Sequence, residues 1–462
     1  MTARLPRPSA PGRPPRTTLT GWGRSTRSAA DVDRPRTIDD VAAAVRAARG
    51  DAASRRHGRG LLARGLGRSY GDAAQNAGGR VLDLVGLGSI GSIGGDGVVE
   101  VGAGVSVGEL IDHAVPLGWF VPVTPGTRHV TMGGAVAADV HGKNHHRDAS
   151  IGAHVVGVTL VDGLGEVRLL ESGDELLGAV VGGMGLSGVV TSVRLRMRPV
   201  ETASITVHTR RTADLEATMV ALAEDDQRFP YTVAWLDTLA TGRATGRGVV
   251  TSGDHTTVEE GGGIPLARHR AGTSLPAPPW APSGLVNRVS ARAFNEAYFR
   301  RAPAHPHVAP APVTTFFHPL DVVGGWNRAY GATGFLQYQL AVADGEVVEQ
   351  VLELLRRERV TQFLPVLKRF GPGIAAPMSF PRPGWTLAVD IPATPDVGPV
   401  LDRADEIVVS AGGRCYLAKD GRVRPSLIPV MYPELERWRE LRGRLDPDGV
   451  FVSDLARRLS LC

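Results

Sequence analysis

Two cysteines in 462 residues, Cys415 and Cys462, cannot build a disulfide framework, and neither sits in a CxxC pair that would hold a structural zinc. No run of about 18 apolar residues escapes polar interruption, so a spanning helix is not expected. The uncharged candidate at 178–193 is too short and thick with glycine. The opening MTARLPRPSAPGRPPR is basic with no apolar run behind it, unlike a secretory signal. Lysine is scarcer than charge alone would suggest. Of 52 basic residues only Lys143, Lys368 and Lys419 are lysine, so arginine carries the generic surface charge. A lysine kept against that bias marks a place for a compact ammonium whose pKa can be tuned, which a guanidinium is not.

The formal charge of +5 excludes less than it first implies. Six arginines (Arg4, Arg7, Arg13, Arg16, Arg24 and Arg27) precede the first acid, Asp31, and account for the whole excess. A basic arm on a neutral body is not the footprint of a nucleic-acid protein, which spreads its excess over a folded face. Residues 1–16 are expected to be a disordered arm.

What the chain has in quantity is glycine, 58 residues, with 33 prolines and no low-complexity block. That texture fits a loop-rich α/β or α+β enzyme of one to three domains. Through residue 200 it reads as β-turn-α units, with a helix capped by Thr37. Beyond it, strands at SITVHTR, YTVAWLDT, GFLQYQLAV, QFLPVLKRF and WTLAVDIPA alternate with helices at DLEATMVALAEDD and EVVEQVLELLRRER. The pattern predicts an antiparallel sheet with helices on one face, an α+β domain. Residues 254–313, proline-rich and aperiodic, read as a mobile lid or insertion. The last stretch reads as a helix, PELERWRELRGRL, and a short terminal strand.

Three glycine segments carry the chemistry. In Ala63-Arg64-Gly65-Leu66-Gly67-Arg68-Ser69-Tyr70-Gly71-Asp72-Ala73, closely spaced glycines after a strand can turn backbone N–H groups toward phosphate oxygens, with Arg64 and Arg68 able to add charge. The run from Gly126 through Thr131, Met132, Gly133 and Gly134 to His141, Gly142, Lys143 and Asn144 would admit a flat ligand close to the backbone. His141 and His145 have metal-ligand spacing, but no third ligand completes a set, and no metal is expected. Gly183, Gly185 and Gly188 match the dinucleotide fingerprint formally. However, Val189 to Met197 alternates with period two, so a strand follows instead of the helix the fingerprint needs.

These segments, in this order, resemble the FAD-binding domain of the vanillyl-alcohol oxidase / p-cresol methylhydroxylase superfamily. Within it, TGWGR at 20–24, ARGLGRSYGDAAQN at 63–76, VPVTPGTRHVTMGGAVAADVHGKNHH at 121–146, HPLD at 318–321, WNRAYG at 326–331, GFLQYQ at 334–339, YLAKD at 416–420 and SDLARRL at 453–459 resemble the decaprenylphosphoryl-β-D-ribose 2-oxidase family. The resemblance implies an α+β fold: a two-subdomain FAD-binding domain of p-cresol methylhydroxylase type, 17–201 plus 414–462, around an inserted substrate domain at 202–413 on an antiparallel sheet. It implies FAD held non-covalently, hydride transfer from C2′ of a polyprenyl-phosphoryl ribose, and a separate NADH-dependent keto-reductase that completes epimerisation to the donor for cell-wall arabinan. A monomer, cytoplasmic or membrane-associated through its lipid substrate or on the periplasmic face, is expected.

By the same resemblance, residues 63–73 would wrap the FAD pyrophosphate. Gly126, Thr131, Met132, Gly133, Gly134, His141, Gly142, Lys143, Asn144, Val189 and Tyr416 would line the cofactor. Tyr70, His141, Gln339 and Lys419 would surround the reacting centre, with Lys419, His141 and Tyr70 competing as the base. Lys143, Trp235, Phe317, Gln339, Lys368, Thr386, Ala388 and Lys419 would form the substrate pocket. Thr386, Ala388 and Phe317 depart from the family's asparagine, cysteine and tyrosine, which leaves the exact sugar lipid open. Two alternatives stand beside this reading: an FAD oxidase of a soluble polyol or aldonolactone, and a non-catalytic polyanion- or membrane-binding protein.

Overall fold

Three larger sheets organise the residues described by this computed structural model, 16–52, 57–272, 274–276 and 281–462. The expected N-terminal arm lies outside them except for Arg16, which opens a strand. In spatial order the first sheet runs Arg16–Thr20, Arg27–Asp33, Arg80–Asp83, Leu61–Arg64, with an antiparallel hairpin at one edge and two parallel pairings beyond it. Helix Ile38–Gly50 follows the hairpin and is capped as its sequence predicts. Thr37 Oγ1 accepts from the Asp40 N–H at 3.1 Å, and the Asp40 carboxylate accepts from the Thr37 N–H at 3.0 Å.

The second sheet is antiparallel, in the order Val98–Gly102, Val189–Arg196, Val155–Val161, Val167–Glu171. Val189–Arg196 is the strand that the period-two alternation predicts, so the glycine triplet before it has no Rossmann context.

The third sheet has eight strands and every pairing is antiparallel: His307–Pro312, Ser204–Thr212, Gly248–His255, Tyr231–Leu236, Phe363–Phe370, Gly384–Pro392, Phe335–Val342, Arg414–Cys415. Side chains alternate across it. Leu340, Val342, Leu367, Leu387, Val389 and Ile391 are fully buried on one face, packed by helices Leu215–Arg228, Gly345–Arg357 and Val397–Ser410. Helix Gly345–Arg357 meets the sheet through Val347, Val348, Val351, Leu352 and Leu355, one stripe at helical spacing. The other face is free for a site.

Two expectations change. Residues 254–313 are not an unstructured insertion throughout: helix Arg288–Arg301 carries a reciprocal cap at Asn287, and His307–Pro312 is the sheet's edge strand. The edge strand is legible only once Ser204–Thr212 is there to pair with it. The terminal strand is reduced to one bridge, Phe451 with Leu61, because helix Asp454–Leu459 begins three residues later. Among the described residues, no helix is long and apolar enough to cross a membrane.

Candidate active site

The register of the large sheet does most of the assembly. Trp235 pairs with Val366, Val366 with Ala388, and Ala388 with Gln339, so these four stand side by side across four strands. Directly paired residues point to one face, and period two adds Lys368, Thr386, Asp390 and Gln337 to it. Every substrate residue expected from these strands therefore shares the face that the helices leave uncovered.

The glycine loop meets this face at its end. The Tyr70 N–H donates to the Ala418 carbonyl at 2.9 Å, the Gly23 N–H to the Tyr70 carbonyl at 3.0 Å, and the Phe335 N–H to the Gly23 carbonyl at 2.7 Å. Tyr70 is thereby clamped between the TGWGR segment and Lys419, whose Nζ lies 3.8 Å from the centre of the Tyr70 ring. Side chains are excluded here. A Cβ on Gly71 would stand 1.7 Å from the Asp420 carbonyl oxygen, and one on Gly65 would stand 2.0 Å from Thr131 Oγ1. Gly67 takes φ +62°, the left-handed region that glycine tolerates.

The loop fits a pyrophosphate. The backbone N–H groups of Leu66, Gly67, Arg68 and Ser69 donate to no group among the described residues, and such a row of free donors is an anion cradle. Arg64 and Arg68 serve a different purpose from the one expected. Arg64 donates to the carbonyls of Ala74 (2.5 Å) and Thr20 (2.9 Å), and Arg68 donates to Leu66 (2.8 Å) and lies over Trp22. They hold the loop's shape.

His141 supplies a second sign of a ligand site. Gln339 Nε2 lies 2.9 Å from His141 Nε2 and 3.3 Å from Thr386 Oγ1. With the amide donating, His141 carries its proton on Nδ1, which is buried and has no partner. Burial, then Lys368, His145 and Lys419, hold the His141 pKa well below the usual imidazole range. Tyr416 stacks on Phe380 at 4.6 Å, donates its hydroxyl to Ala138 at 2.6 Å and gives its N–H to the Gln339 carbonyl, bracing the same corner.

The three lysines converge. Each is half-buried. Lys368 acts electrostatically on Lys143, Lys419 and His141. Burial, aided by Lys368, lowers Lys143 to about 7. Burial alone lowers Lys368 to about 8, and its amine has no hydrogen-bond or ion-pair partner among the described residues. Lys419 falls to about 7, through burial opposed by Asp390 and reinforced by Lys368. Lys143 Nζ donates to the Phe316 carbonyl and lies 4.0 Å from the centre of the Phe316 ring. Three amines beside one buried carboxylate leave positive charge unbalanced, and anions bound there would raise all three pKa values.

Other placements differ from expectation. Met132 and Val189 are completely buried in apolar cores and present no surface to a cofactor. Ala73 and Phe317 are also core residues. Phe317 stacks on Phe120 at 5.0 Å and meets Tyr231 edge-on at 4.9 Å, so Phe316 is the ring beneath Lys143. Asn144 spends its amide on Pro122 and Asp148, fixing the turn, and Asp72 pairs with Arg458. Gly126 lies open, Thr131 caps helix Met132–Ala137, and a Cβ on Gly133 or Gly142 would crowd Ala103 or Asn144.

Asp390 and Gln337 were missed. Asp390 is 2 % exposed, and Gln337 Nε2 donates to it at 2.6 Å. Burial pushes its carboxyl up to about 7. The available signal was its place in WTLAVDIP, two residues from Ala388 and four from Thr386, hence on their face. Replacing Asp390 with asparagine removes the one effect that raises the Lys419 pKa. The ionisation seen in the pH profile of flavin reduction should then move to lower pH by about 1 unit. A profile that does not move would separate the two groups.

Lys368 yields a stability prediction. Its folded pKa is depressed, so its buried charge opposes folding fully below about pH 8, and that cost disappears between there and the free-lysine value. Lys368→Met should therefore stabilise the FAD-free protein by about 1–2 kcal/mol at pH 6 and much less near pH 10.5, as read from denaturant melts.

Residues 29–171 match the FAD binding domain family, and residues 345–459 match the D-arabinono-1,4-lactone oxidase family. Decaprenylphosphoryl-β-D-ribose oxidase of Mycolicibacterium smegmatis is 39% identical over 456 residues, 96% of this chain and 97% of that protein. An uncharacterized protein of Streptomyces coelicolor is 40% identical over 370 residues, covering 77% of this chain and all of that one. L-gulono-1,4-lactone dehydrogenase of Mycobacterium tuberculosis is 23% identical over 71% of this chain and 73% of its own length. A glycine cradle with free N–H groups, an FAD-domain match and a near full-length relative lead to one placement: the chain belongs to the decaprenylphosphoryl-β-D-ribose oxidase family of FAD-dependent oxidoreductases.

Proposed function

We propose that this enzyme oxidises the C2′ hydroxyl of a polyprenyl-phosphoryl ribose to the 2′-ketone, the first half of an epimerisation that an NADH-dependent reductase completes. When bound, FAD supplies the hydride acceptor; we take it to be non-covalent, held by the 65–71 loop and the 126–144 segment. The division into an FAD domain, 17–201 with 414–462, and a substrate domain, 202–413, belongs to the same reading.

What supports the proposal is that, of the three lysines among 52 basic residues, Lys368 stands on the sheet face of Gln339 and acts electrostatically on Lys143, Lys419 and His141, the last paired with Gln339. Among the candidate bases, Tyr70 has its pKa raised well above the phenol range by burial, and His141 has its pKa held well below the imidazole range. Lys419, at about 7, is matched to proton transfer at neutral pH. Its Nζ takes the hydroxyl proton, and as an ammonium it balances negative charge formed beside it. Gln339 fixes the His141 ring and leaves Nδ1–H as a donor. Lys143 and Lys368 hold the phosphate.

The lactone oxidase match over 345–459 favours a second reading, oxidation of an aldonolactone or polyol. A neutral sugar gives no role to two further buried amines, which is why the phosphoryl substrate is preferred. Anaerobic mixing of the yellow protein with a lipid-linked phosphoribose, an alditol and an aldonolactone tests this. Bleaching by the first alone supports the proposal, and bleaching by a neutral sugar alone overturns it.

A further inference from the structure

Exposed apolar surface and positive charge concentrate in one segment of this chain. Between residues 261 and 323 there are six arginines and two acids, although the body as a whole is neutral. Of the 17 large apolar residues exposed among the described ones, nine lie between Leu275 and Val323. The centre is helix Arg288–Arg301. Its buried side is small, Ala291 and Asn295, with Asn295 bonded to Asp237 at 2.8 Å. Its outer side presents Val289, 79 % exposed, with Leu285 (51 %) in the turn before the helix, while Phe294 and Tyr298 lie round toward the sheet and stay partly exposed.

The helix has one acid, Glu296, already occupied by Arg247 and Arg300. Arg288 and Arg292 donate to the carbonyls of Val360 and Leu239, and neither they nor Arg301 has a carboxylate partner among the described residues. Unneutralised guanidinium groups beside exposed aliphatic side chains are complementary to anionic headgroups over acyl chains. The helix also adjoins the site. Tyr298 lies 4.6 Å from Trp235, and Phe294 lies 4.9 Å from Phe363, on the strands that carry the pocket residues Trp235 and Lys368.

We propose that Leu285 and helix Arg288–Arg301 form a docking surface for an anionic lipid bilayer, holding the mouth of the sheet-face site against the layer in which a polyprenyl substrate is dissolved. The inference rests on the lipid-linked substrate reading. Its binding part is tested without substrate. The full-length, FAD-loaded protein should co-sediment with phosphatidylcholine–phosphatidylglycerol vesicles and not with pure phosphatidylcholine, and added salt should weaken that binding. Leu285→Asp/Val289→Asp, and separately Arg301→Glu, should lower the partition coefficient at least tenfold. Their flavin spectra and turnover of a water-soluble short-chain substrate should be unchanged, and turnover of vesicle-borne substrate should fall. Wild-type protein that ignores anionic vesicles overturns the proposal. So do variants that bind like wild type, which would assign any attachment to another part of the chain. Failure of the substrate reading would show in the soluble assay alone and leave vesicle binding intact.

Discussion

Replacing Lys419 with methionine should slow anaerobic reduction of the flavin by about 10²–10⁴-fold while the protein stays yellow. The effect is large because two roles fall on one amine. Its ordinary partner would be a carboxylate in direct contact, but Lys419 instead lies over the Tyr70 ring at 3.8 Å, with Asp390 nearby and not ion-paired. That placement leaves the ammonium able to lose its proton near neutral pH. Lys419→Arg separates the roles: arginine keeps the charge and does not give up a proton in this range. Recovery by arginine would assign Lys419 to charge balance, and no recovery would assign it to proton transfer. Retention of FAD by both variants, read from the absorption spectrum, shows that the loss lies in chemistry and not in cofactor loading.

The second large effect should come from Arg458, which touches neither candidate ligand. Its guanidinium donates to Asp72 twice at 2.8 Å and to the Val423 carbonyl at 3.1 Å, and lies in an ion pair 2.8 Å from Asp420. Asp72 lies two residues beyond Tyr70, and Asp420 follows Lys419. One arginine from the terminal helix therefore fixes both halves of the Tyr70–Lys419 contact. Arg458→Met leaves buried Asp72 without its partner and Asp420 with only the Arg422 and Val423 N–H donors, which should cost about 3–5 kcal/mol, a large share of a total stability of about 5–15 kcal/mol. Arg458→Lys should recover only part, since an ammonium cannot match the bidentate geometry. Adding Asp72→Asn to Arg458→Met should cost less than the two changes summed, because each removes the other's penalty. Additive losses in denaturant melts would mean that the pair is not coupled.

The legible parts of this fold are those written over short distances. Thr37 and Asp40 announce their own cap, and Val189 to Arg196 alternates as a strand whatever surrounds it. The three lysines were visible as a departure from the chain's own habit, independently of any contact. Residues whose role depends on long-range pairing were harder to see. Asp390 reads as one acid in an apolar strand until Gly384–Pro392 is registered against Phe335–Val342, which places it opposite Gln337. Arg458 was hidden by the arginine bias that exposed the lysines. Phe316 and Phe317 are adjacent in sequence, and only the turn of helix Val313–Phe317 decides which ring underlies Lys143. Met132 and Val189 sit in glycine-flanked, cofactor-like strings, yet both are wholly buried, since spacing alone does not tell a lining residue from the wall behind it.

The central claim is that this sheet face removes hydride from C2′ of a phosphoryl-linked ribose. Single-turnover stopped-flow at 450 nm without oxygen, comparing the lipid-linked ribose with its 2′-deuterated form, tests it most directly. Complete bleaching is expected, slowed severalfold by deuterium at C2′ and unaffected by deuterium elsewhere on the ring. Bleaching insensitive to that deuterium, or a flavin that stays oxidised while a neutral lactone or alditol reduces it, would contradict it.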